Sequence, residues 1–261
     1  MTDQGAQAGR LVRVDDFDMW VEISGAGAPL VYLNGGFAST DFARGAIDAL
    51  SAHFTVYAFD ARGHGRSNFG AGPITYAREA ADAVALMNVL GLPNAHFFGH
   101  SDGGCVALHL LFDYPHRVRT ATLAGTPYSR AAYSAASAQM SKELPATLAR
   151  GEADAMGMRD ALLGMGLTSE KVIALAAGLQ RAWATTPNFT LDMLAEIDRP
   201  VLVIEAGADP FIALDQFEAI TRAVPGARAL RLPEMTHGLD PFVPDIVAAV
   251  VAFAGDATDA A

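Results

Sequence analysis

Short apolar runs alternate with longer stretches of helical spacing along most of the chain. Strands are predicted at Met19–Ile23, Leu30–Leu33, Phe54–Phe59, Asn94–Phe98, Val118–Leu123, Val201–Ile204 and Ala229–Leu232. Helical spacing fills the gaps. Tyr76 to Leu90 reads as an amphipathic helix ended by Gly91 and Pro93. Val106–Phe112 is apolar enough for a buried helix, and further helices are expected near Leu214–Val224 and Pro244–Phe253, with a frayed tail from Asp256 to Ala261. Strands that alternate with helices imply an α/β fold with a mainly parallel, doubly wound sheet.

The alternation breaks between Thr126 and about Ile197. This stretch has no convincing strand and is rich in Ala, Leu and Met. A helical block between two sheet strands reads as a cap over the carboxyl edge of the sheet, where open α/β sheets bind ligands. The expected division is a core of 1–125 and 198–261 with a cap of 126–197 inserted into it.

Composition narrows the setting. The 261 residues are 51% hydrophobic and 18% charged, with a formal net charge of −11. This describes a well-packed globular chain and argues against nucleic-acid or anionic-membrane partners. Met1–Arg10 has no apolar core and no run reaches membrane-spanning length, so a cytoplasmic protein is expected. Cys105 is the sole cysteine and reads as a buried packing residue. No metal-ligand spacing, P-loop or dinucleotide fingerprint is present, so no cofactor is expected.

The chemistry concentrates at Gly99-His100-Ser101-Asp102-Gly103, between a predicted strand and a predicted helix. A serine on such a turn projects its hydroxyl over the sheet edge as a nucleophile. It needs a base, and the base needs an orienting acid. His237 follows the last predicted strand, and Asp209 follows Val201–Ile204. The competing uninteresting roles are a turn serine, a structural histidine and, for Asp209, a helix N-cap. His64, His96 and His100 read as structural or supporting, with a local contact between Asp60 and Arg62 holding the loop around His64. For Asp102, a structural orientation is favoured over a catalytic one, because its charge would oppose an oxyanion.

The order Ser101, Asp209, His237 together with Asn34-Gly35-Gly36 and Asp60-Ala61-Arg62-Gly63-His64-Gly65-Arg66-Ser67 resembles the α/β-hydrolase superfamily, in its helically capped form, from about Val12 to Phe253. The resemblance implies Ser101 as nucleophile, His237 as base and Asp209 as its acid. It also implies an oxyanion hole from the backbone N–H groups of Gly36 and Asp102. Relatives usually carry histidine where this chain has Asn34. Phe37, Tyr128, Met140, Trp183 and Phe211 are expected to line the substrate pocket, and Met156, Met158, Met165 and Phe189 belong to the same apolar cap. The expected reaction is hydrolysis of a small to medium hydrophobic ester or lactone by water. A carbon–carbon bond hydrolase or perhydrolase with the same triad is the alternative, and a catalytically idle receptor is the alternative from another class. A hydroxynitrile lyase is disfavoured because Lys142 and Lys171 both lie in the cap.

Overall fold

A computed structural model describes residues 9–133, 135–152 and 157–259. Met156 lies outside them. Eight strands form one sheet: β1 (Arg10–Val14), β2 (Phe17–Ser24), β3 (Pro29–Leu33), β4 (Thr55–Phe59), β5 (Ala95–His100), β6 (Val118–Ala124), β7 (Val201–Ala206) and β8 (Arg228–Leu232). Their order is β1-β2-β4-β3-β5-β6-β7-β8. The first two strands pair antiparallel and β2 is antiparallel to β4, while every other pairing is parallel.

The central strands are apolar runs because both of their faces are covered. Every residue of β7 is buried, as are all of β5 except His100. The covering helices are α1 (Arg44–Ser51), α2 (Tyr76–Val89), α3 (Asp102–Asp113), α8 (Leu214–Ala223) and α9 (Val243–Asp259), with α1 packed on α9 and α2 on α3. Nine of the twelve residues of α3 are buried, so this helix is apolar on nearly every face.

Between β6 and β7 the described residues form a short 3₁₀ turn (Arg130–Ala132), isolated bridges and the helices α4 (Ala135–Ala149), α5 (Met158–Gly164), α6 (Ser169–Thr185) and α7 (Leu191–Ala195). Thr168 starts α6 by accepting from the Lys171 N–H. Leu144, Leu148, Leu162, Val172, Leu175 and Leu179 build a second small core, which reaches the sheet domain through Phe37 and Ile74. Lys171 fastens α6 from the other side by donating to the carbonyls of Gly65 and Ser67, at 2.6 and 2.7 Å.

Two expectations need correction. The helix α9 runs to Asp259, past the expected fraying point, and Arg228 Nη1 pairs with Asp256 at 2.6 Å. The loop around His64 is not held by an Asp60–Arg62 contact. Asp60 instead accepts from the backbone N–H groups of Thr40 and Arg66, at 2.7 and 2.8 Å. Arg62 makes a two-pronged pair with Asp82, both bonds being 2.6 Å.

Candidate active site

Parallel strands deliver all three chemistry-bearing side chains to one edge of the sheet. Ser101 follows β5 and stands at the N-terminus of α3, Asp209 follows β7, and His237 follows β8. Ser101 has φ 55° and ψ −118°, a strained conformation for a side chain with a Cβ. The turn is possible because its neighbours are small. A Cβ on Gly103 would run into the carbonyl of Leu33, and one on Gly104 into the Thr126 hydroxyl.

The side chains meet at hydrogen-bond distance. His237 Nε2 lies 2.8 Å from Ser101 Oγ, and His237 Nδ1 lies 2.7 Å from Asp209 Oδ2. A carboxylate only accepts, so Nδ1 carries the proton and Nε2 is left to accept from the serine. The other carboxylate oxygen of Asp209 accepts from the N–H groups of Phe211 and Ile212, at 2.8 and 3.0 Å. Asp209 is therefore both a cap for its own turn and a partner of His237. Its side chain is fully buried, which protects the pair from competing water.

His100 supports the same arrangement. Its Nε2 donates to the His237 carbonyl at 2.7 Å, and the two rings lie 5.3 Å apart. Burial, with His237 close by, pushes His100 down to about 4, so it stays a neutral donor. His96 and His64 are also pushed down to about 4, chiefly by burial. His96 pairs with Thr120 Oγ1 at 2.8 Å and His64 with the Arg62 carbonyl at 3.0 Å, as supporting roles require.

Asp102 holds its carboxylate in a bonded niche. Oδ1 accepts from Tyr76 Oη and Oδ2 from Trp183 Nε1, both at 2.8 Å. Burial raises its pKa despite these two donors. The backbone N–H groups of Asp102 and Gly36 make no hydrogen bond within the described residues, and the first of them sits at the positive end of α3. Asn34, the residue that departs from the usual histidine, ties the same loop to the sheet by donating from Nδ2 to the Phe59 carbonyl at 3.0 Å.

A cavity of about 500 Å³ opens on Ser101 and His237. Phe37, Met140, Trp183 and Phe211 line it, with Gly36 and Asp102 beside the serine. Phe37 takes φ 63° and meets Trp183 edge-on at 5.9 Å. Tyr128 is a correction, because it packs against the main core instead. Its carbonyl accepts from Phe189 N–H at 3.0 Å, and the adjacent Ser129–Asn188 bridge carries the chain past the cavity. Sequence reasoning also missed Arg130, Tyr133, Lys142, Leu144, Met158, Gln180 and Ile212, which complete much of the wall. Met158 had been placed in the cap, but no spacing signal told which side of its helix would face inward. Lys142, on α4 of the helical block between β6 and β7, also lines the cavity.

Among the described residues no helix is long and apolar enough to cross a membrane. No group of three or more His, Cys, Asp or Glu among them is placed to hold a metal ion.

Comparison with known proteins agrees with this architecture. A protein of Azorhizobium caulinodans with the provisional name carbamate hydrolase RutD is 35% identical over 108 residues, which is 41% of each chain. The alignment therefore spans only about two fifths of that relative's length. The crystal structure of a hydrolase from Pseudomonas aeruginosa PA01 superposes with a TM-score of 0.75 at 27% identity, covering 95% of this chain and 98% of the other. An enol-lactonase from Burkholderia xenovorans LB400 shares the fold, with a TM-score of 0.73 at 21% identity over 94% of this chain and 99% of its own. The family model described as alpha/beta hydrolase fold matches residues 28–170, more than half of the 261. This chain belongs to the α/β-hydrolase fold family.

Proposed function

We propose that the protein is a serine hydrolase that cleaves a carboxylic ester or lactone through an acyl-enzyme on Ser101. The observation that carries the reading is the unbroken chain Ser101 Oγ–His237–Asp209, with links of 2.8 and 2.7 Å. Ser101 Oγ attacks the carbonyl carbon while His237 Nε2 takes its proton. The N–H groups of Asp102 and Gly36 receive the developing oxyanion. Collapse of the tetrahedral species expels the alcohol, which receives the proton held on His237. Water then repeats the sequence on the acyl-enzyme, and the acid leaves as Ser101 regains its proton. Asp209 keeps Nδ1 protonated and supports the transient imidazolium.

Residues 126–197 act as the cap that selects the substrate, since Met140, Met158 and Trp183 in this block form part of the apolar cavity wall. The reading includes a cytoplasmic setting, a small-molecule substrate, water as acceptor and no cofactor. The acidic chain, at net charge −11, is a poor match for nucleic acid.

The test compares hydrolysis of p-nitrophenyl butyrate, a simple lactone, a carbamate ester and a vinylogous diketone by the protein and by Ser101→Ala. Ester or lactone turnover that vanishes with Ser101→Ala supports the reading. Turnover of the diketone alone would move the protein to carbon–carbon bond hydrolysis. Binding without turnover of any of the four would make it a receptor.

A further inference from the structure

The cavity wall carries two cations that no described residue pairs with. Arg130 lies in the 3₁₀ turn Arg130–Ala132 and Lys142 in α4, and both line the cavity that holds Ser101 and His237. Neither makes an ion pair or a side-chain hydrogen bond with another described residue. The chain has 29 acidic and 18 basic side chains, so a basic group that forms no ion pair goes against its general balance. Most of its arginines do find carboxylates, as Arg44 does with Glu22 and Arg231 with Glu205.

The cavity's own carboxylate does not serve them. Asp102 is the one acidic residue in the lining among the described residues, and both its oxygens are engaged by Tyr76 and Trp183. The rest of the wall is largely apolar, with Phe37, Met140, Leu144, Met158 and Phe211. Both cations are exposed to solvent, so their attraction for an anion is screened until a ligand that lies along the apolar wall excludes water from between them.

We infer that Arg130 and Lys142 form an anion-recognising subsite, and that the substrate is an ester or lactone whose apolar body bears a carboxylate remote from the scissile carbonyl. This deepens the hydrolase reading and rests on it. The apolar segment lies along the methionine and aromatic wall, and the carboxylate meets the guanidinium and ammonium groups. Asp102 stays with its two donors and takes no part in this contact.

The experiment separates binding from turnover. Ser101→Ala is titrated by calorimetry with monomethyl suberate, dimethyl suberate and methyl 6-aminohexanoate. The monoanion is expected to bind more tightly than the neutral diester, on the order of tenfold. Adding Arg130→Gln and Lys142→Gln should abolish that difference, and both positions are exposed, so the fold tolerates the change. The difference should also shrink at high salt. Equal affinity for the two suberates, a preference untouched by the glutamines, or tighter binding of the amine overturns the inference. If the anion preference holds while the wild-type protein turns over no ester or lactone, the subsite stands and the proposed reaction falls.

Discussion

The indole N–H of Trp183 donates to Asp102 Oδ2 at 2.8 Å, joining a helix of the inserted block to the residue directly after the elbow serine. The contact lies close to the loop that carries Gly36. A Cβ built on Gly36 would approach Asp102 Oδ2 to 2.5 Å and Trp183 Cζ2 to 3.0 Å. Helix α6 is thus fastened at one end to Asp102 beside Ser101 and, through Lys171, to the Gly65–Ser67 loop at the other.

Trp183→Phe keeps an aromatic ring and removes the donor. One oxygen of a buried carboxylate then loses its partner, at a cost of about 1–3 kcal/mol. Thermal unfolding should show a lowered Tm, and selectivity among acyl lengths should change more than kcat on a small acetate ester. An unchanged Tm together with unchanged selectivity would show that the bond fastens nothing.

The acid partner of His237 can be tested against its neighbours. Asp209→Asn should lower kcat by about 10³–10⁴, because the imidazole loses the group that fixes its tautomer and supports its cation. Glu205→Gln should cost far less, since Glu205 accepts from Thr221 and Arg231 instead, at 2.9 and 2.8 Å. Asp240→Asn should likewise be mild. A crippled Asp240→Asn beside a near-normal Asp209→Asn would require the triad to be redrawn.

Stability should fall on both sides of neutrality, from different groups. His64, His96 and His100 are each held near 4 against an ordinary value of 6.5. Between these values the unfolded chain binds more protons, so stability drops as pH falls from about 6.5 toward 4. Glu79 has the opposite sign. Burial, aided by Asp102 and Asp82, raises it to about 8 from 4.5, so the folded state binds the extra proton and stability drops as pH rises across that interval. Glu79→Gln should flatten the limb of Tm above about pH 6.5 and, by removing a contribution of opposite sign between 4.5 and 6.5, steepen the acid limb. An alkaline limb of the same slope in that variant would contradict the assignment.

The buried pair of Arg62 and Asp82 supplies a prediction away from the chemistry. Asp82→Ala removes both short bonds of a guanidinium that is about 1% exposed, leaving it the carbonyls of Phe69 and Ala71, at 3.0 and 3.3 Å, and a longer ion pair with Asp16 at 3.8 Å. A loss of about 3–5 kcal/mol is expected by urea denaturation. A loss under about 1 kcal/mol would mean that the loop relaxes to solvate the arginine.

The sequence was most legible where one physical demand acts alone. Central strands such as Val201–Ala206 must be apolar on both faces, and their runs stand out. The Gly-rich elbow follows from backbone crowding, which no other residue relieves. In contrast, β1 escaped notice because Arg10–Val14 interleaves arginines with valines at the edge of the sheet, where only Val12 and Val14 are buried. Helix α1 escaped because Arg44–Ser51 is short and buries only Ala46, Ile47 and Leu50. The Arg62 partner was missed because Asp82 is twenty residues away on α2, a pairing that no local pattern encodes. The same limit explains the cavity. Phe37 and Phe211 adjoin residues marked by motif, whereas Arg130 and Lys142 reach the cavity through folding of the inserted block, and Tyr128 turns from it.

The central claim is that Ser101 carries the acyl group, and mass spectrometry during turnover tests it most directly. The protein is mixed with p-nitrophenyl butyrate, quenched in acid within the first turnovers, digested and mapped. The account predicts a butyryl adduct on the peptide containing Ser101, diminished along with hydrolysis in His237→Ala, which lacks the base for both half-reactions, and absent from Ser101→Ala along with ester hydrolysis. An adduct on a different residue, or undiminished hydrolysis by Ser101→Ala, would contradict it.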